Sequence, residues 1–206
     1  MPGRRPLIAI DGPAGSGKST VARAVAQRLG VDHLDTGAMY RAVAYASLER
    51  DVDPADAEAV AALAAGLVIE VDGAVLVDGV DASAAVRGPE VTAVVSAVAS
   101  VPAVRAELVR RQRAWASSRD GGVVEGRDIG SVVFPGADVK VYLTASDEER
   151  SRRRAGEGGD GADLARRDGL DASRAVSPLQ VAEGAVVVDT TGLSVDEVVD
   201  AVLALL

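Results

Sequence analysis

The sequence predicts an α/β domain of the doubly wound kind, a parallel sheet flanked by helices with one small antiparallel insert, and three features of its apolar pattern say so. The run "LIAID" (7–11) passes through a glycine-rich turn straight into a helical period, a strand–turn–helix opening. The later runs "GVVE" (122–125), "DVKVYLT" (138–144) and "AVVVD" (185–189) are separated by enough chain for crossovers, which parallel strands require. By contrast, "LVIEVDGAVLVDGVDASAAV" (67–86) alternates apolar and polar residues around two Asp-Gly pairs, the pattern of antiparallel hairpins.

Taken in order, Leu7, Ile8 and Ile10 read as a buried strand, and Val21, Val25 and Leu29 share one face of the helix that follows, with Gly30 placed to stop it. A short apolar step, "VDHL" (31–34), precedes a helix over "DTGAMYRAVAYASLER" (35–50) that Asp35 or Thr36 can cap, carrying Met39, Val43 and Leu48. His33, the only histidine, reads as a packing residue in that step, because no Ser or Cys nucleophile pattern accompanies it. Residues 54–65 form a helix ended by Gly66, and 89–118 are helical with a break at Pro102, Val104, Leu108 and Trp115 facing the core. Asp147 is placed to cap an arginine-rich helix, "AGEGGDG" (155–161) has the composition of a mobile loop, and "AVVVD" reads as a buried strand. Ser194 and Glu197 make a capping box before the last helix.

A chain of 206 residues with 48% hydrophobic content suffices for one domain, and at 2% aromatic content its core must come from Val, Ala and Leu. With no cysteine, a disulfide framework and a thiolate metal site are excluded. No apolar run reaches the ~20 residues that span a bilayer, so a soluble, cytoplasmic protein without a membrane partner is expected. The net charge of −9 argues against nonspecific binding of nucleic acid. Arginines nevertheless cluster at 110–113, 150–154 and 166–174, while Lys18 and Lys140 are the only lysines. Genomic base composition accounts for that preference as well as phosphate binding does, but the planar guanidinium suits phosphate oxygens in either case.

The chemistry starts in the turn after the first strand. Gly12, Pro13, Ala14, Gly15, Ser16, Gly17, Lys18, Ser19 and Thr20 follow the spacing G-x-x-x-x-G-K-[ST]. Glycines at these positions can take φ > 0 and let backbone N–H groups converge on an anion with no Cβ atoms intervening. Lys18 is then placed for the β- and γ-phosphates, Ser19 for Mg²⁺, and the helix start adds its positive dipole end. The loop makes the fold a P-loop NTPase type, with ligands expected beyond the strand C-termini. Three further stretches, "DTGAMYR" (35–41), "EGRDIG" (125–130) and "RRDGLDASRAVSPL" (166–179), each set an arginine or hydroxyl beside an acid near a strand end or helix start, which suits a second anionic ligand.

Through "IAIDGPAGSGKST", "DTGAMYR", "RRQRAW", "EGRDIGSVVFPGADVKVYL", "RDGLDASRAVSPL" and "VDTTGLSVDEVV", nearly the whole chain resembles the bacterial cytidylate kinases of the nucleoside monophosphate kinase group. The resemblance implies a monomer acting as a single domain, with a core at about 1–65 and 89–206, an acceptor-binding insert at about 66–88 and a short lid at about 150–167. It implies transfer of the γ-phosphoryl group of ATP to CMP or dCMP with Mg²⁺. Thr36, Tyr40 and Arg41 would bind the acceptor phosphate, Ser96 and Arg105 would face cytosine, Arg127 and Asp128 would contact phosphate and base, and Arg167, Asp171 and Arg174 would serve sugar, phosphate and base edge. Lys18, Arg127, Asp128 and Arg153 would form the catalytic set, with Arg150 and Arg154 as further lid candidates, and Ser19 as the metal ligand.

These residue types fit the chemistry. Cytosine N4 is a donor, so an acidic acceptor such as Asp128 rewards cytosine and would repel the O4 carbonyl of uracil. The segment "RSRRRAGEGGDGADLARRD" (150–168) is shorter and richer in glycine than the usual family lid, which predicts a looser lid and more ATP hydrolysis without acceptor. Two other readings share the loop: a kinase for UMP or a non-nucleotide acid, and a slow nucleotide-dependent switch for a protein partner. The first should not reward an exocyclic amine, and the second is weakened in its GTPase form by the lack of an N-K-x-D motif.

Overall fold

The structure is a computed structural model that describes residues 5–156 and 180–206. Its elements run β1 (Leu7–Asp11), α1 (Lys18–Leu29), β2 (His33–Asp35), α2 (Thr36–Glu49), α3 (Ala57–Gly66), β3 (Ile69–Asp72), β4 (Ala74–Val77) and β5 (Val80–Asp81). There follow α4 (Pro89–Ser100), α5 (Pro102–Arg119), β6 (Gly122–Glu125), a π-helical turn (Ile129–Val133), β7 (Val139–Thr144), α6 (Asp147–Gly156), β8 (Val186–Asp189) and α7 (Val195–Leu203). The chain divides into two compact units, one of Met1–Leu34 with Trp115–Leu206 and one of Asp35–Ala114.

A five-stranded sheet in the order β2-β6-β1-β7-β8 organises the first unit. β1 lies at its centre, Ile8 opposite Val123 on one side and Val139 on the other, both pairings parallel. The core packs Ile8, Ile10, Val141 and Leu143 of the sheet against Val21 and Val25 of α1 and Val198, Val199 and Val202 of α7. This is the expected aliphatic core, with hydrophobic burial spread over many small side chains. Because the strands are parallel, β1, β6 and β7 all end on one edge, at Asp11, Glu125 and Thr144. The half-buried Trp115 lies on Gly122, where an added Cβ would come within 2.9 Å of its ring.

In the second unit, β3, β4 and β5 form the expected antiparallel sheet, with Asp72 opposite Ala74 across a turn in which Gly73 has φ +69°. α4 and α5 break at Pro102 as predicted, and α2 is capped by Asp35, whose carboxylate accepts from Ala38 N at 3.0 Å. Arg111 of α5 donates to the carbonyls of Leu67 (2.7 Å) and Ala64 (2.9 Å), closing the C-terminus of α3 with a side chain. Among the described residues no single helix is long and apolar enough to cross a membrane. The consecutive α4 and α5 meet that length and composition only as a pair bent by 94°, and Val91, Val98, Val104 and Leu108 on them are buried.

Three local expectations are corrected. α3 starts at Ala57, because the Asp56 carboxylate caps the N–H groups of Glu58 and Ala59, and Gly66 is its last residue with Leu67 following in extended conformation. Ahead of α6 the cap is Ser146, whose Oγ accepts from Glu149 N at 3.2 Å, while Asp147 lies in the first turn and pairs with Arg150. Among the described residues β8 is the last strand of the sheet and leaves Val186 and Val187 exposed, so its apolar run does not mark a buried position.

Candidate active site

In the 12–20 loop, Gly12, Gly15 and Gly17 take φ of +146°, +75° and +87°, the left-handed backbone that the sequence demanded of them. A Cβ on Gly12 would lie 2.1 Å from the Leu143 carbonyl oxygen, so the loop packs directly on the end of β7. Three cations hold three successive loop carbonyls. Arg127 Nη1 donates to Gly12 O at 2.9 Å, Lys18 Nζ to Pro13 O at 2.6 Å, and Arg150 Nη1 to Ala14 O at 3.1 Å. In a planar trans peptide the N–H points opposite to the C=O. Fixing the carbonyls of Pro13 and Ala14 by cations therefore turns the N–H groups of Ala14 and Gly15 the other way, where an anion can meet them.

Lys18 and Ser19 begin α1, so both side chains sit at the positive end of the helix. Ser19 Oγ donates to Glu125 Oε2 at 2.8 Å, and Glu125 Oε1 lies 3.1 Å from His33 Nε2. His33, expected only to pack, is thus hydrogen-bonded to a carboxylate at the C-terminal end of β6. Ser16 Oγ is buried with no partner among the described residues, a polar atom inside the loop with hydrogen-bonding capacity to spare.

Asp11, at the end of β1, accepts from Ile129 N (2.8 Å) and Gly130 N (2.7 Å) and so anchors the π-helical turn that follows Arg127 and Asp128. Burial, first, and the neighbouring Asp128 charge push the Asp11 carboxyl up to about 6, against the two N–H bonds that pull it down. Asp128 is buried, and its carbonyl accepts from Val132 N and Val133 N. Arg153 reaches Thr190, donating to its Oγ1 and its carbonyl at 2.8 Å each, and to Glu149 at 2.7 Å. Its Nη1 would be 3.5 Å from a Cβ on Gly17, so its guanidinium lies beside the loop.

Within the second unit, Arg41 donates to Val86 O and Thr92 Oγ1, each at 3.1 Å. The guanidinium of the buried Arg105 lies over the ring of Tyr40, 5.8 Å from its centroid. Thr36 is buried at the first turn of α2, and Ser96 is half-buried on α4. The structure therefore brings Lys18, Ser19, Arg127 and Arg153 around one loop, and Tyr40 and Arg105 together in the other unit. Arg167, Asp171, Arg174, the side chain of Arg154 and the expected lid and mobile loop beyond residue 156 lie outside the described residues. Asp11, His33, Glu125, Thr92 and Thr190 carry site contacts that motif reading passed over. A buried acid ending a strand, as in "LIAID" and "GVVE", was the available signal for two of them.

The donor set fits Mg²⁺ carried by a nucleotide. Among the described residues no group of three His, Asp or Glu side chains could hold a metal by itself, so a hard cation at Ser19 would complete its shell with phosphate oxygens and water.

A family model described as cytidylate kinase matches residues 8–206. The chain is 51% identical to a cytidylate kinase of Mycolicibacterium paratuberculosis over 94% of this chain and 92% of that one. It is 50% identical to one of Rhodococcus opacus over 96% and 93%. Among solved structures, a gluconokinase from Sinorhizobium meliloti aligns with a TM-score of 0.54 at 17% identity, covering 98% of this chain and 91% of that one, a likeness of fold alone.

Proposed function

The chain belongs to the cytidylate kinase family, and we propose that its 12–20 loop holds ATP with Mg²⁺ while residues of the Asp35–Ala114 unit receive the monophosphate. It is an ATP-dependent kinase of CMP or dCMP. The observation that carries the proposed division of labour is the loop itself, with left-handed glycines, carbonyls fixed by three cations, and Lys18 and Ser19 at the start of α1. We take the enzyme to work as a cytoplasmic monomer without nucleic-acid or membrane partners.

Lys18, whose ammonium has three donors, would keep one on the Pro13 carbonyl and turn the others to the β- and γ-phosphate oxygens. Ser19 would offer its hydroxyl oxygen to Mg²⁺, which supplies charge neutralisation across those phosphates. Thr36, Tyr40 and Arg41 would take the acceptor phosphate, Ser96 and Arg105 would face cytosine, and Asp128 would accept from its N4 amine, with Arg127 spanning phosphate and base. Arg167, Asp171 and Arg174 would add sugar and phosphate contacts. An oxygen of the CMP phosphate attacks the γ-phosphorus in line, the bond to the β–γ bridging oxygen breaks, and ADP leaves with the negative charge. No general base is needed, since a phosphate monoester with a second pKa of about 6 is already a dianion at neutral pH. Arg127 and Arg153 would neutralise the equatorial oxygens in transit, so rate comes from positioning and charge.

The test is ADP formation from Mg·ATP with CMP, dCMP, UMP, AMP, GMP or no acceptor, for wild type and Asp128→Ala. The proposal expects strong stimulation by the cytidine nucleotides alone, and lost or broadened selectivity in the variant. Unchanged selectivity in Asp128→Ala removes Asp128 from base reading, and stimulation by none of the panel removes the kinase reading itself.

A further inference from the structure

We propose that His33 is a positioning residue for the metal-binding hydroxyl: by holding Glu125 it fixes the direction of the Ser19 Oγ–H bond, and so sets how tightly the loop takes Mg²⁺ with its nucleotide. The proposal rests on the assignment of Ser19 to Mg²⁺ made above and adds what governs that hydroxyl.

A hydroxyl can give its lone pairs to a cation only if its hydrogen points elsewhere, and that hydrogen needs an acceptor. Glu125 Oε2, 2.8 Å from Ser19 Oγ, is the acceptor. A glutamate side chain has several rotatable bonds, so each bond to its buried carboxylate narrows where Oε2 can sit. The second oxygen, Oε1, is occupied by His33 Nε2 at 3.1 Å. With one oxygen on His33 and the other on Ser19, the plane of the carboxylate is set.

The brace is rigid because its two ends are on neighbouring strands. His33 opens β2 and Glu125 closes β6, and these strands are adjacent in the sheet. The His33 side chain is only 16% exposed, so water competes weakly for the bond. In the arrangement that supports Ser19, the carboxylate accepts from Nε2–H on one side and from Oγ–H on the other. His33 touches neither metal nor phosphate and acts through Glu125 alone, which distinguishes it from the loop residues.

Calorimetric binding of the non-hydrolysable analogue AMP-PNP to the full chain, without acceptor and over a series of free Mg²⁺ concentrations, tests this. His33→Leu, which keeps bulk and removes the donor, is expected to raise the Mg²⁺ concentration for half-maximal tightening about tenfold, with affinity in EDTA little changed. In His33→Gln a side-chain N–H reaches the same oxygen, and the half-point is expected to return to within about twofold of wild type. A His33→Leu half-point equal to wild type overturns the proposal. So does a His33→Gln shift as large as that of His33→Leu, because packing alone would then explain both. Thermal melting in EDTA reports folding. If His33→Leu does not melt cooperatively, His33→Gln and His33→Asn carry the test, the shorter amide failing where the longer restores, and equal behaviour of the two overturns the proposal. Wild-type binding that ignores Mg²⁺ would instead remove the Ser19 assignment, a result distinct from failure of the His33 brace.

Discussion

Cations are tied to backbone carbonyls in both units, with opposite purposes. Around the 12–20 loop, Arg127, Lys18 and Arg150 hold the carbonyls of Gly12, Pro13 and Ala14. In the Asp35–Ala114 unit, Arg111 holds those of Ala64 and Leu67 at the end of α3. The first set turns backbone N–H groups to where the proposed nucleotide would meet them, whereas the second closes a helix end that would otherwise present unmet acceptors. An arginine cluster in this sequence is therefore not in itself a phosphate site. What separates the two is whether the backbone being held has left-handed glycines that expose its amides.

The largest break in that comparison is expected from Lys18→Ala against Arg111→Ala. Loss of Lys18 should lower kcat by about 10³-fold with the fold intact. Loss of Arg111 should lower stability by about 2 kcal/mol while kcat of the folded fraction holds. Steady-state kinetics beside denaturant melts read both, and a large kcat loss in Arg111→Ala would erase the distinction.

Glycines give the next contrast. Gly12→Ala forces a Cβ against the Leu143 carbonyl at 2.1 Å and should cost ~3 kcal/mol or more, together with nucleotide binding. Gly73, with φ +69° and nothing within 4 Å of an added Cβ, should cost only about 1 kcal/mol on substitution by Ala. Similar losses for the two would mean that the loop glycines serve conformation alone and not close approach.

Two carboxylates, one in each unit, are shifted in opposite directions. Asp11 is raised by burial to about 6, so the folded state takes up its proton before the unfolded chain does. Its neutral form favours the fold: relative to Asp11→Asn, wild type should gain less than ~3 kcal/mol as pH falls from 7 to 4, and lose it again as pH rises through about 6. A wild-type minus variant difference that is flat over this range would show that the two backbone N–H bonds cancel the burial. Glu107, bound first by Arg110 and also by Arg111, is lowered to about 2. Glu107→Gln should therefore cost about 1 kcal/mol at pH 7, and the deficit should vanish as pH falls from about 4.5 towards 2. Persistence of that deficit at pH 2 would mean that packing and not charge holds Glu107.

How much of the site was legible follows from how each part is built. The 12–20 loop is contiguous and made of backbone, so its spacing alone specified φ signs, helix start and ligand type. Arg127 and Asp128 could be singled out as candidates only because their motif could be matched whole, and the fold sets Arg127 on the Gly12 carbonyl. Their long-range partners were not legible: Asp11 meets Ile129 and Gly130 across 118 and 119 positions, and Thr190 meets the candidate Arg153 across 37. Such partners become neighbours only when parallel strands align their C-terminal ends. His33 shows the limit most plainly, since in the sequence it had no nucleophile to serve and in the fold it faces Glu125, 92 positions away.

By itself, the sequence determined the order of strands and helices, the antiparallel insert, the left-handed glycine loop and the chemical class of its ligand, because each depends on contacts between residues close in the chain. Tertiary structure alone decided that β8 is the last strand among the described residues and leaves Val186 and Val187 exposed, that Arg111 closes a helix while Arg127 holds the loop, and that His33, Glu125 and Ser19 form one hydrogen-bonded line. The reason is physical. Local pattern fixes backbone conformation, but which side chain meets which carbonyl is set by strand order and register, and these arise only when the apolar faces are buried together.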